Sequence, residues 1–187
     1  MKVPVRLLAL AAGPVMIGVL AIGSLSGWFS TKPKIGTLVR LIDPDNPCGP
    51  VTVALATLLV GEPIGLDRAK AGVDTDPLGR CSLAQIAECL EANGCGAAGV
   101  RLSHHSFKNI KTSVVAILFV DRSHFIVVKP LDGGSVVVFD PPRRPFVSGL
   151  DRMPYEWSGE SLIVARDDRS LRQVLDQLGL SPGAATY

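Results

Sequence analysis

Hydrophobic and polar positions alternate in three different rhythms along the chain. Residues 7–30 are almost wholly apolar and carry no charge. Residues 51–60 form a second, shorter apolar run. Leu83, Ile86, Ala87 and Leu90 are spaced three and four apart, as are Leu171, Val174, Leu175 and Leu178. That spacing puts each set on one face of a helix. Between these segments the pattern shortens. Residues 97–102, 114–120, 124–129, 135–140 and 161–165 are short apolar runs, rich in β-branched residues between 114 and 140, and read as strands. Helices come first and strands mostly follow, which predicts an α+β domain with N-terminal helices packed on an antiparallel sheet.

Punctuation sets the element ends. A helix is expected over 48–60, with Pro50 in its first turn and Gly61 and Pro63 beyond its end. Residues 62–80 hold Gly, Pro and Asp and read as loop with a short helix. Ser82 and Gln85 form a capping box ahead of the second helix, and Gly94 closes it. A helical turn is expected over 106–111, and a terminal helix over 170–180. Asp132-Gly133 between two β-branched runs predicts a hairpin.

The N-terminal run changes the picture of the whole chain. It follows Lys2 and Arg6 and is long enough to cross a bilayer as a helix. A secretory signal core is shorter, about 7–15 residues. The reading is therefore an uncleaved membrane anchor, with cleavage near Ser24-Leu25-Ser26 as the alternative, which would release a secreted domain. Lys2 and Arg6 favour an inside N-terminus and an extracytoplasmic domain, although Lys32 and Lys34 reduce the asymmetry. The expected organisation is an anchor or signal over 1–30, a folded domain over 31–168, and a C-terminal helix and tail over 169–187.

Charge excludes one class of partner. The 187 residues hold 19 Lys and Arg against 17 Asp and Glu, and Lys2 and Arg6 account for the excess. The body is neutral and has no basic stripe with interleaved aromatics, so nothing points to nucleic acid. The four cysteines, Cys48, Cys81, Cys89 and Cys95, include no CxxC pair, which argues against a zinc site. In an exported domain Cys81, Cys89 and Cys95 could supply one disulfide. No metal or cofactor is implied.

Candidate chemistry centres on Cys48. It lies where the 48–60 helix should begin, and a helix N-terminus favours a thiolate. A thiolate nucleophile needs a group that takes and returns a proton, and a third group that orients the second. His124 and Asp140 offer both. A hairpin turn centred on Asp132 would set them directly opposite each other and on one face. His104 and His105, beside Ser103 and Ser106, read as a surface turn. Arg143 and Arg144, beside Pro142, read as a solvated turn.

Three segments carry a family resemblance. Asn46-Pro47-Cys48-Gly49-Pro50, Ser123-His124-Phe125-Ile126-Val127-Val128 and Val138-Phe139-Asp140-Pro141 resemble, in order, the nucleophile, histidine and Asp-Pro motifs of the bacteriocin-processing, double-glycine leader cysteine peptidases. Those domains are often fused to ABC transporters. The resemblance spans about residues 40–165. It implies a papain-like fold, with Cys48 as nucleophile, His124 as general base and acid, and Asp140 as orienting group. It also implies a peptide or protein substrate, including leader peptides, and a separate transporter or secretion system as partner. There are departures. The family's oxyanion glutamine, six residues before the cysteine, is Ile42 here, and the preceding aspartate is Pro47. Asn46 is the substitute donor if its amide turns inward. No Walker motif is present, so the reading is a stand-alone domain. Ile42 keeps two other readings open: a weak or inactive peptide-binding domain of the same fold, and another Cys-His-Asp amide hydrolase or acyltransferase.

Overall fold

Residues Cys48–Val60 form α1, and Gly61 closes it in a left-handed conformation with its N–H on the carbonyls of Leu58 and Thr57. Every residue from Gly49 to Leu59 is buried. The polar ones, Thr52 and Thr57, turn their hydroxyls back onto the carbonyls of Gly49 and Ala54. A helix apolar on all sides belongs in a core. These coordinates are a computed structural model, and residues 45–110 and 113–180 are described. The anchor or signal expected over 1–30, Ile42 and the tail from residue 181 lie outside the described residues. Among the described residues no helix is long and apolar enough to cross a membrane.

Two helices follow. α2, Leu66–Gly72, is the short helix expected within residues 62–80. α3, Leu83–Glu91, begins with the expected capping box: Gln85 N–H donates to Ser82 Oγ and Ser82 N–H donates to Gln85 Oε1. α4, His104–Phe107, is a single turn capped by Ser103. It is shorter than the 106–111 expectation and starts earlier. α5, Asp168–Gln177, starts before residue 170 because Asp167 caps it, accepting from Ser170 N–H at 2.7 Å.

Six strands form one sheet: β1 Gly96–Arg101, β2 Val115–Val120, β3 His124–Pro130, β4 Ser135–Phe139, β5 Phe146–Gly149 and β6 Trp157–Ala165. Their order is β1-β6-β2-β3-β4-β5, with every neighbouring pair antiparallel. β2 to β5 form a meander, and β6 returns to lie between β1 and β2. Alternation then divides the apolar residues. Ala116, Leu118, Ile126, Val128 and Val138 join one cluster with Leu171 and Val174 of α5. Their neighbours Ile117, Val127 and Leu162 are buried outside that cluster, on the side where α1 packs against β2 and β3. Lys129, also on that side, donates from Nζ to the Leu59 carbonyl near the end of α1, where helix carbonyls favour a cation.

One expectation of the hairpin is corrected. Val127 pairs with Phe139 and Val128 with Val138, so the turn centres on Gly133, not Asp132. His124 and Asp140 are diagonal neighbours, not directly opposed. The turn is displaced by one residue: Leu131 N–H donates to Ser135 O across Asp132–Gly134, and Gly133 and Gly134 both hold left-handed φ values of 83° and 82°. Glycine takes that conformation without the steric cost of a Cβ. The register differs by two residues, so both side chains keep to the same face.

Candidate active site

Three segments converge on one place. The first turn of α1 supplies Cys48, the start of β3 supplies His124, and the residue just beyond β4 supplies Asp140. The turn that carries His124 is strained. Asp121 and Arg122, between β2 and β3, hold φ values of 51° and 56°. A left-handed conformation costs a residue with a Cβ roughly 1–2 kcal/mol. The turn is clamped from outside: Glu156 N–H donates to Asp121 Oδ1 at 2.8 Å, and Asp121 N–H to Glu156 O at 2.9 Å.

His124 Nε2 lies 2.6 Å from Asp140 Oδ1. Nε2 is thereby occupied, which leaves Nδ1 for the hydrogen bond that the ring makes with Cys48. The hydrogen bond to Cys48 raises the His124 pKa most. Burial opposes it, and the Asp140 carboxylate adds to it; the result is about 9. Burial pushes the Cys48 thiol up. The His124 ring, the backbone of Phe125, the His124 charge and the backbone of Gly49 outweigh burial and leave the thiol below its ordinary value. Both shifts favour a thiolate–imidazolium pair. A backbone group that stabilises a thiolate is an N–H, and Gly49 supplies one from the open first turn of α1.

Asp140 is nearly enclosed, its side chain 7% exposed. Its second oxygen, Oδ2, accepts from Tyr155 Oη–H at 2.6 Å and lies 3.4 Å from Arg143 Nη1. Arg143 is part of a turn, as expected, with its N–H on Asp140 O, but its guanidinium is committed to this cluster. Tyr155 has no sequence signal: it stands in a loop, distant in the chain from its partner. His104 stays on the surface, its ring edge-on to Trp157 at 5.2 Å.

A cleft of about 600 Å³ opens over Cys48. Asn46 and Pro47 form one wall, Leu78 and Cys81 another, and Phe119 and Phe125 the floor side of β2 and β3. Asn46 therefore lines the cleft that holds Cys48. All four cysteines are free thiols. Cys89 and Cys95 are buried and act as small hydrophobes. Cys81 shows the opposite balance to Cys48. Burial, with the charges of Cys48 and Asp76, pushes it up to about 12.

Cys81 also explains Gly49. A Cβ on Gly49 would lie 2.2 Å from Cys81 Sγ. Overpacking of this kind costs about 1–3 kcal/mol. Gly49→Ala is expected to lose that much stability in urea unfolding. Most of it should return in the double variant with Cys81→Ala, because the obstructing atom is then gone. A double variant no more stable than Gly49→Ala would place the obstruction elsewhere.

The peptidase C39 family model matches residues 42–169. A double glycine motif protease from an AMS/PCAT transporter, solved in complex with the leader peptide, is 18% identical with a TM-score of 0.54. The match covers 63% of this chain and 82% of that one. The peptidase domain of Streptococcus ComA, a bi-functional ABC transporter of a quorum-sensing pathway, is 16% identical with a TM-score of 0.55. It covers 66% of this chain and 93% of that one. These likenesses bear on the fold. No curated protein matches the chain.

Proposed function

Since the chain belongs to the peptidase C39 family, we propose that it is a cysteine peptidase acting through Cys48, His124 and Asp140. The observation that carries this reading is His124 hydrogen-bonded to Cys48 on one side and 2.6 Å from the buried Asp140 carboxylate on the other. The thiolate of Cys48 attacks the scissile carbonyl carbon. As the tetrahedral adduct collapses, the C–N bond breaks and His124 passes its proton to the leaving amine. A thioester remains on Cys48. Water then attacks it, with His124 taking a proton, and the carboxylic acid product leaves. N–H groups at the start of α1 and the amide of Asn46 are the donors proposed for the oxyanion. The substrate class is a peptide that threads the cleft in extended form. A leader peptide with small residues before the cut is the reading favoured by the relative solved with one.

The reactive ion pair exists above the lowered Cys48 pKa and below that of His124. Cleavage is expected to rise with pH as the Cys48 thiol ionises, reach a plateau, and fall with a midpoint of about 9 as His124 loses its proton. The test is hydrolysis of a peptide mixture across pH 5–10 with acid quenching, and mass analysis of Cys48 for an acyl adduct. Cleavage that persists in Cys48→Ala would sink the proposal. A second reading, a peptide-binding domain without turnover, is favoured by Ile42. It predicts peptide binding with no adduct on Cys48.

A further inference from the structure

We infer that Tyr155 is a positioning residue of this site, holding Asp140 in the rotamer that turns Oδ1 toward His124, with Arg143 as its brace. The inference rests on the triad reading given under the proposed function. It starts from the shape of a carboxylate. Asp χ2 is a broad, roughly two-fold torsion, so an aspartate held by one oxygen alone can swing. Asp140 is held by both, and Arg143 Nη1 also lies 3.4 Å from Oδ2. Oδ1 meets His124 Nε2 and Oδ2 accepts from Tyr155 Oη–H, each at 2.6 Å. An O–H···O⁻ contact of that length is in the strong, charge-assisted range.

The phenol is itself held. Arg143 Nη1 donates to Tyr155 Oη at 3.1 Å, and its guanidinium lies 5.9 Å from the ring centroid. Burial and the adjoining Asp140 carboxylate raise the phenol pKa, so it stays protonated and remains a donor. The next residue, Glu156, is clamped to Asp121 on the turn that carries His124. One short segment, Tyr155 and Glu156, therefore fixes both members of the His–Asp pair. Tyr155 does not line the cleft over Cys48, so its part is to orient and not to bind.

Removing the hydroxyl leaves Oδ2 with only the 3.4 Å contact to Arg143 Nη1, longer than a firm hydrogen bond, so Asp140 should turn and hold the imidazolium less well. The full chain has three histidines, so His124 can be followed by NMR titration. Alkylation of Cys48 by iodoacetamide, read by mass at that residue, follows the thiol. In Tyr155→Phe the His124 midpoint is expected to fall by about half a pH unit or more, and the Cys48 midpoint to rise. The alkylation rate near pH 7 should fall severalfold. A purely structural role would lower the melting temperature and leave both midpoints in place. A folded Tyr155→Phe with wild-type midpoints overturns the inference alone. Ordinary midpoints for Cys48 and His124 in the wild-type protein overturn the triad reading and this inference with it. If Tyr155→Phe does not fold, Arg143→Met removes the brace on Tyr155 and the longer contact to Oδ2, and should shift both midpoints in the same directions by less. No shift in that variant overturns the inference.

Discussion

Replacing His124 with alanine is expected to cut peptide hydrolysis by about 10⁴–10⁶ and to slow alkylation of Cys48 at pH 7 by about a hundredfold. The thiol is pulled in opposite directions. Burial raises it, and His124 supplies the largest opposing influence through its hydrogen bond and its charge. With the ring gone, only the Phe125 and Gly49 N–H groups oppose burial. Cys81, in the same cleft, shows where burial leads, at about 12. Cys48 should return at least to its ordinary value of 9.0, with about 1% thiolate or less at pH 7. The measurement is the alkylation rate against pH, read by mass at Cys48. A variant labelled as fast as the wild type would disprove the ion pair.

Asp140→Ala should produce the next largest loss, about 10²–10⁴ in turnover, with peptide affinity little changed. Its effect on stability carries a pH signature. The Cys48 hydrogen bond raises His124 most, and Asp140 adds by hydrogen bond and charge, taking it from 6.5 to about 9. A raised pKa stabilises fully below the unfolded value and loses that stabilisation as pH rises through the folded one. The wild type should therefore exceed the variant most near pH 6. The gap should narrow by pH 10. Losing a buried charged partner can cost about 3–5 kcal/mol. His124 is 33% exposed and solvent screens part of the pair, so about 2 kcal/mol is expected at pH 6. Urea unfolding at the two pH values measures it. A gap of equal size at both would mean that Asp140 acts by packing and not by charge.

Local signals were the legible part of this fold. Pro50 and Gly61 bracket α1, which spans Cys48–Val60 as read from the chain. The Ser82 and Gln85 box starts α3 because its two hydrogen bonds are made within four residues. Long-range pairing was not legible. The first half of β6 begins Trp157-Ser158-Gly159-Glu160, which has no apolar alternation and becomes strand through its pairing with β1 and β2. β5 is four residues long on the edge of the sheet and has too few apolar positions to show a period. The residue types at the site could be read because each belongs to a local motif. The hairpin register could not, since the turn closes on the second and third residues of Asp132-Gly133-Gly134 and its centre moves by one. Tyr155 could not either: its role depends on where two loops meet.

α1 carries a consequence for how the site fails under stress. The helix is enclosed from Gly49 to Leu59. Amides in such a segment exchange with solvent only when the domain opens as a whole. Cys48 rides on that slow-opening unit. His124 sits beside a surface turn with two left-handed residues, clamped by two hydrogen bonds to Glu156. Local opening there needs no loss of core. On heating, His124 should leave its place before Cys48 does, and the proposed activity should fade while most of the protein still melts as one cooperative unit.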